Sequence, residues 1–397
     1  MTSVVDNVSR IFQAKNNGIE LGVPTVFSSI FLQQEPLIDL ASEQVTIELY
    51  KGNRLVAPLV SRRGQFDQSE DIIRPGKAGV NDYLYALVQQ EIALTATELN
   101  KRVPGEKPFD TLTKEERLLF WMAQLSQDAI KRVLRRCELL AYQSFFDGEQ
   151  NIGDVFQGDT KLIFPVSSTL KNRTVAVSWA TAASATPWKD LGDALRAVGD
   201  LGQVKGNDQN VFSMMSYTVI ENLKAIYRSQ KGADVESELF YEYDFTRAQV
   251  PEGLRFLIAN GATYVGWVKT EWGQNPVHIF TTSGMYDDGS STVDYLTGNT
   301  IALCVNDPSY FKSFFGAGTF MSQDESFYNK TFGDISGEMD INAATEMGNS
   351  GYPAEVFLPN LYPLGKNQGV GGQIQTSPIF ARMQVNAVAT LDTTTTS

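Results

Sequence analysis

Side chains that commonly do chemistry are few in this chain, and their spacing does not suit it. There is one histidine, His278. A two-histidine metal site is impossible within one chain, and a serine–histidine–aspartate triad would rest on this residue alone. His278 lies in the run Val277-His278-Ile279-Phe280-Thr281, so it is expected on the face of a sheet. Two cysteines, Cys137 and Cys304, cannot make a disulfide framework or, on their own, a zinc site. Gly369-Val370-Gly371-Gly372 follows no expected strand, opens no helix and lacks GxGxxG spacing. No GxxxxGK[ST] loop and no GxSxG elbow occurs. Asp287-Asp288-Gly289 lacks the alternating acids of a calcium loop and reads as a hairpin turn. With 46 acidic residues, carboxylate pairs arise from folding alone. A hydrolase with two acids roughly 5–10 Å apart is a distant alternative. The expectation is a non-enzyme with no catalytic residue, metal or cofactor.

Two charged clusters carry more information. Lys131, Arg132, Arg135 and Arg136 stand together. They allow three readings: a solvated face paired internally, a contact with a neighbouring subunit, or a contact with packaged nucleic acid. In the first, Asp128 reaches Lys131 and Arg132, and Arg135 reaches Glu138. The second cluster has Arg62 and Arg63 on one side and Asp67, Glu70 and Asp71 on the other. It is either a soluble loop end or a patch complementary to the next copy.

The elements that must position these clusters follow from the pattern. Thr113 to Gly148 reads as one helix of about 50 Å at 1.5 Å per residue. Thr113 and Glu116 form a capping box, Glu115 and Glu116 suit the first turn, and Gly148 is a stop. Leu119, Met122, Leu125, Ile130, Val133, Leu134, Cys137 and Leu140 recur with helical spacing but no strict heptad. That places the Cys137 thiol in a core. Upstream, Val4 to Phe12 suits a short helix within a largely extended arm ending near Pro36. Residues 44–92 read as a long two-stranded extension: Val45–Tyr50, Leu55–Val60, the charged tip, then a strand at Tyr83–Ile92. Downstream, strands are expected at 161–166, 173–179, 210–217, 263–269, 276–283 and 299–305. Helices are expected at 187–198, 218–228 and 248–260. This is a compact α+β arrangement. Phe311, Phe314, Phe315, Phe320, Phe327 and Phe332 mark core or a subunit contact. Strands resume at 373–383 and 384–391.

Composition sets the outer bounds. The 397 residues carry a formal net charge of −13, with 42% hydrophobic and 20% charged residues. This is a folded chain whose surface repels DNA over most of its area. No run of 18 apolar residues suggests a membrane span, and the start lacks a signal-peptide layout. Folding in a cytoplasm is the expectation.

Three stretches in this element order carry a family likeness. They are Ser61-Arg62-Arg63-Gly64 with Arg74-Pro75-Gly76, Leu296-Thr297-Gly298-Asn299-Thr300 running into Ile301-Ala302-Leu303, and Gln375-Thr376-Ser377-Pro378-Ile379-Phe380. The chain resembles the Hong Kong 97-like fold of tailed-phage major capsid proteins, and within it the lambda-type major head protein family. The resemblance implies an N-terminal arm at 1–43, an E-loop at 44–92 and a P-domain at 93–205 with the spine helix 113–148. It further implies an A-domain at 206–345 and a C-terminal return to the P-domain at 346–397. The implied function is a shell subunit forming hexamers and pentamers of an icosahedral head around double-stranded DNA, without sequence-specific contact. Arg62, Arg63, Asp67, Glu70 and Asp71 would then touch a neighbour, as would Lys131, Arg132, Arg135 and Arg136. A portal is implied, and a decoration protein is a further possible partner. No long charged helix precedes residue 40, so a separate scaffolding protein is expected. Residues 320–372 are extra length relative to the lambda-type pattern. The implied location is the virion, after assembly in a host cytoplasm, with no membrane partner. An encapsulin-type compartment shell is the alternative within the fold.

Overall fold

The computed structural model describes residues 23–39, 44–50, 77–99, 101, 113–152, 161–202, 210–231, 250–270, 276–287, 291–316, 358–363 and 369–394. Expectations for Val4–Phe12, Leu55–Val60, the charged tip and Phe320, Phe327 and Phe332 lie outside these residues.

The described chain opens with a short helix α1 (Val26–Phe31), all of it buried. This corrects the expected extended arm. Six residues are too few for a helix to form alone, and α1 owes its stability to what covers it. Phe27 packs on the rings of Tyr142, Phe145, Phe146 and Tyr295 at 5.2–5.9 Å. Strand β1 (Leu37–Asp39) then pairs in parallel with Phe314–Gly316.

Strands β2 (Gln44–Tyr50) and β3 (Lys77–Leu84) pair antiparallel, from Gln44 opposite Leu84 to Tyr50 opposite Lys77. The expected strand Tyr83–Ile92 is in fact divided. It breaks at Tyr85-Ala86-Leu87, and β4 (Val88–Thr95) joins a different sheet. At the break the Tyr85 ring packs directly on Gly316, where a Cβ would lie 2.1 Å from the ring.

After a turn of helix, α2 (Ala96–Leu99), comes the long helix α3 (Lys114–Phe146). Its bounds match the capping signals. Thr113 precedes it and accepts from the Arg117 N–H at 3.0 Å. Gly148 follows it at φ +66°, which L side chains adopt at a cost. The second half of α3 buries Ile130, Val133, Leu134, Cys137, Leu140 and Phe145 in the largest core.

The hairpin β5 (Glu149–Asn151) and β6 (Lys161–Ile163) and the short β7 (Arg173–Thr174) lead to α4 (Pro187–Gly202). Strand β8 (Val211–Met214) and helix α5 (Tyr217–Lys231) follow. The helix expected over 248–260 is shorter. A 3-10 turn at Glu252–Leu254 precedes α6 (Arg255–Ala259), because Pro251 cannot donate into a longer helix. Then come β9 (Thr263–Lys269), β10 (Pro276–Thr281), the hairpin β11 (Met285–Asp287) and β12 (Thr292–Asp294), and β13 (Thr300–Val305). Asp287 is opposite Thr292, as a turn at Asp287-Asp288-Gly289 requires. Phe311, Phe314 and Phe315 are buried on β14 (Phe311–Gly316).

The chain returns through β15 (Leu358–Pro363), β16 (Gly369–Thr376), β17 (Pro378–Arg382) and β18 (Val388–Asp392). The glycine run 369–372 is therefore strand, contrary to expectation. It sits centrally between β15 and β4, and pairing on both edges overrides glycine's weak strand preference.

The main sheet has the order β7-β18-β13-β8-β10-β9. It is buried on both faces, and β13 shows how. Ile301, Leu303 and Val305 join a core with Leu191, Leu195 and Val198 of α4 and Val219, Leu223 and Ile226 of α5. Ala302 and Cys304, alternating with them, join the core of α3 and α1. A third core collects Ile47, Leu49, Phe164, Phe314 and Ile379. The fold is mixed α+β, as expected.

Candidate functional site

The arginine face of α3 is where the described structure brings expected site residues together. Arg132, Arg135 and Arg136 stand at i, i+3 and i+4, so their side chains share one face of the helix. All three are exposed. They line a groove of about 810 Å³ with Leu139, the Val23-Pro24 segment and the β11–β12 hairpin. Lys131 is not part of that lining. From the hairpin side come Met285 and Tyr286, and Tyr295 follows. The Tyr295 hydroxyl donates to the Arg135 carbonyl at 3.0 Å, and its ring meets Tyr286 at 5.2 Å. Met285 is 52% exposed. The groove is thus cationic on the α3 side and mixed aromatic and polar on the hairpin side, and its lining holds no carboxylate.

Among the described residues, internal pairing does not occupy this face. Glu138, the expected partner of Arg135, is 1% exposed and is engaged elsewhere. Its carboxylate accepts from Phe27 N at 2.6 Å, Ser28 N at 2.9 Å and Ser28 Oγ at 2.6 Å. These are the first-turn N–H groups of α1, which lack partners within the helix. Thr25, at the N-cap position, makes no side-chain cap bond; a residue 110 positions away does the capping. Among the described residues, no ion pair involves Lys131, Arg132, Arg135 or Arg136. Burial pushes the Glu138 carboxyl up to about 7, against the pull of the Ser28 and Phe27 donors.

A second buried charge holds the other end of α3. Arg382 of β17 is 1% exposed, and its Nη2 donates to the Phe145 carbonyl. A cation at a helix C-terminus meets the negative end of the dipole. Burial lowers its pKa to about 10, so it remains charged at neutral pH. Ser144 Oγ donates to the Phe380 carbonyl at 2.6 Å, joining the same helix end to the same strand. The sequence offers Glu138 only as a surface partner for Arg135 and does not mark Arg382, although both carry a visible signal. Glu138 falls on the apolar stripe of α3 beside Leu134 and Cys137, and Arg382 interrupts Pro378-Ile379-Phe380-Ala381.

The remaining reactive side chains are where the sequence places them. His278 is buried on β10, and its Nδ1 is 2.9 Å from the Tyr264 hydroxyl. Burial lowers its pKa to about 4. Cys137 and Cys304 are free and buried, and burial raises both thiols above their usual range. Among the described residues, no three His, Cys, Asp or Glu side chains are grouped to hold a metal. Among the described residues, no helix is long and apolar enough to cross a membrane. The expected tip residues Arg62, Arg63, Asp67, Glu70 and Asp71 lie outside the described residues.

No family model matches the chain, and no curated protein is similar to it in sequence. The decisive likeness is structural. A protein described as the capsid protein of a prophage from Escherichia coli CFT073 superposes over 97% of this chain and 98% of its own, with a TM-score of 0.60 at 13% identity. The chain has a tailed-phage capsid fold. More distant is a phage-related protein from Bordetella bronchiseptica RB50, with 12% identity, coverage of 97% and 96% and a TM-score of 0.47. An encapsulin complex from Synechococcus elongatus PCC 7942 has 10% identity, coverage of 91% and 85% and a TM-score of 0.37. At 33 residues α3 is the longest of the described helices, and the arginine groove lies along its flank.

Proposed function

We propose that this chain is the major head protein of a tailed phage, of the Hong Kong 97-like, lambda-type kind. Its copies close into an icosahedral shell of hexamers and pentamers around double-stranded DNA. The observation that carries this reading is the end-to-end likeness to the prophage capsid protein, covering nearly the whole of both chains. In this reading residues 1–43 are the N-arm, 44–92 the E-loop, 93–205 and 346–397 the P-domain, and 206–345 the A-domain. The acidic balance, −13 per chain, suits a container that must not grip its polyanionic contents. A portal and a separate scaffolding protein are the partners this function calls for. Arg62, Arg63, Asp67, Glu70 and Asp71 at the E-loop tip, and the cations of α3, are the proposed contacts between copies.

The test is assembly. Purified protein, with its scaffold where one is needed, is expected to give large closed particles in size-exclusion chromatography and electron micrographs. A monomer under every assembly condition would sink the reading. The double variant Arg62→Glu, Arg63→Glu is expected to leave the monomer folded, with unchanged circular dichroism, and to block particle formation. Normal shells from it would remove the E-loop assignment while leaving the shell reading intact.

A further inference from the structure

The groove beside α3 has a definite chemical complement. Three guanidinium groups on one helix face repel each other, and no carboxylate among the described residues answers them. Like charges at i, i+4 destabilise a helix, so an anion in the groove relieves a standing repulsion. A guanidinium binds a carboxylate through two parallel hydrogen bonds, and three of them can take several carboxylates on one segment. The hairpin side of the groove holds Met285, Tyr286 and Tyr295 beside the hydroxyls of Ser283 and Thr292, which suits aromatic side chains with polar tips on that segment. A volume of about 810 Å³ suits several peptide side chains and is far larger than a lone inorganic anion. Nucleic acid fits less well. It brings one charge per ~1.7 Å of duplex, well beyond the reach of three arginines, and meets a subunit of charge −13.

One stretch of this sequence has the required composition. Residues 234–245 read Asp-Val-Glu-Ser-Glu-Leu-Phe-Tyr-Glu-Tyr-Asp-Phe. They combine Asp234, Glu236, Glu238, Glu242 and Asp244 with two phenylalanines, two tyrosines and no lysine or arginine. We propose that the arginine groove receives segment 234–245 of a second copy of this chain. Copies of charge −13 repel one another, so a contact between them needs local patches of opposite sign. Packing side by side also keeps neighbouring segments at high effective concentration. The inference rests on the shell reading for the presence of that second copy.

Two charge-reversed chains test it. One carries Arg132→Glu, Arg135→Glu and Arg136→Glu, and the other carries Glu236→Arg, Glu238→Arg and Glu242→Arg. Each alone sets like charge against like and is expected to lower particle yield at least tenfold. Mixed, each groove finds an opposite segment on the other chain, and particles are expected to return. Full assembly of either variant alone, or no recovery on mixing, would overturn the proposal. A second measurement guards against misfolding of the reversed chains. A fluorescently labelled peptide of residues 234–245 is titrated into the unassembled natural subunit and into an Arg132→Gln, Arg135→Gln, Arg136→Gln variant of unchanged melting temperature. Affinity is expected to fall at least tenfold in the variant. Equal affinity would overturn the proposal, as would complete displacement of the peptide by an equal concentration of a DNA oligonucleotide. If the natural chain forms no particles, the shell reading fails, and with it the second-copy proposal. If it forms particles and the peptide result is negative, only the groove proposal fails.

Discussion

Two buried titratable side chains give the subunit opposite responses to pH. Glu138 is an acid whose folded pKa is raised to about 7, above the ordinary carboxylate value of about 4.3. The folded state therefore holds its proton more tightly than the unfolded chain. Its contribution is complete below the unfolded value and is lost as pH rises through 7. Between pH 5 and 8 the natural chain is expected to lose about 1–3 kcal/mol relative to Glu138→Gln, which does not ionise. Chemical denaturation at both pH values checks this, and parallel stability profiles would show that Glu138 does not titrate. His278 works the other way. Its folded pKa is lowered to about 4, so its stability is present above 6.5 and is lost as pH falls through 4. His278→Phe is expected to cost about 0.5–1.5 kcal/mol at pH 7 by removing the hydrogen bond between its Nδ1 and the Tyr264 hydroxyl. It should also flatten the acid side of the profile between pH 6.5 and 4. Thermal melts across that range measure both effects.

At the scale of elements, what was readable depended on how local the cause was. Helix α3 was legible almost to the residue, because Thr113 and Gly148 lie in the chain beside the ends they set. Strand β9 and the turn after Asp287 were equally local. Helix α1 was not legible, since its cap is Glu138 and its cover is the ring cluster around Phe27. The break between β3 and β4 was hidden for the same reason. Residues 83–88 read Tyr-Leu-Tyr-Ala-Leu-Val, an unbroken apolar run with no turn residue, while the partners of β4 lie at residues 369–376. The groove was half legible. The three arginines are adjacent in sequence, but the wall facing them comes from residues 283–295. The buried face of α3 supplies a direct check. Leu134 is 1% exposed, and Leu134→Asp would bury a charge with no partner. That variant is expected to be insoluble or unfolded by circular dichroism, whereas a soluble, assembling product would mean that the face is wrongly assigned. Leu134→Ala should fold, at a cost of about 2–5 kcal/mol.

At the scale of the whole molecule, the chain closes on itself late. Strand β18 lies inside the main sheet, with β13 on one side and β7 on the other. It also supplies Val388 to one core and Ala389 and Leu391 to the other. A variant ending at residue 387 would leave both neighbours with open edges and both cores short of apolar surface. It is expected to be recovered only in the insoluble fraction, and a soluble truncation melting like the full chain would contradict this. The same feature has a consequence in time. A ribosome adding roughly 5–20 residues per second needs roughly 4–17 s to travel from β13 to β18. During that interval the sheet waits unfinished. A chain interrupted in that interval lacks β18 and leaves β13 and β7 without their shared partner. If copies build a shell as proposed, the order of synthesis makes a finished main sheet a condition of joining it.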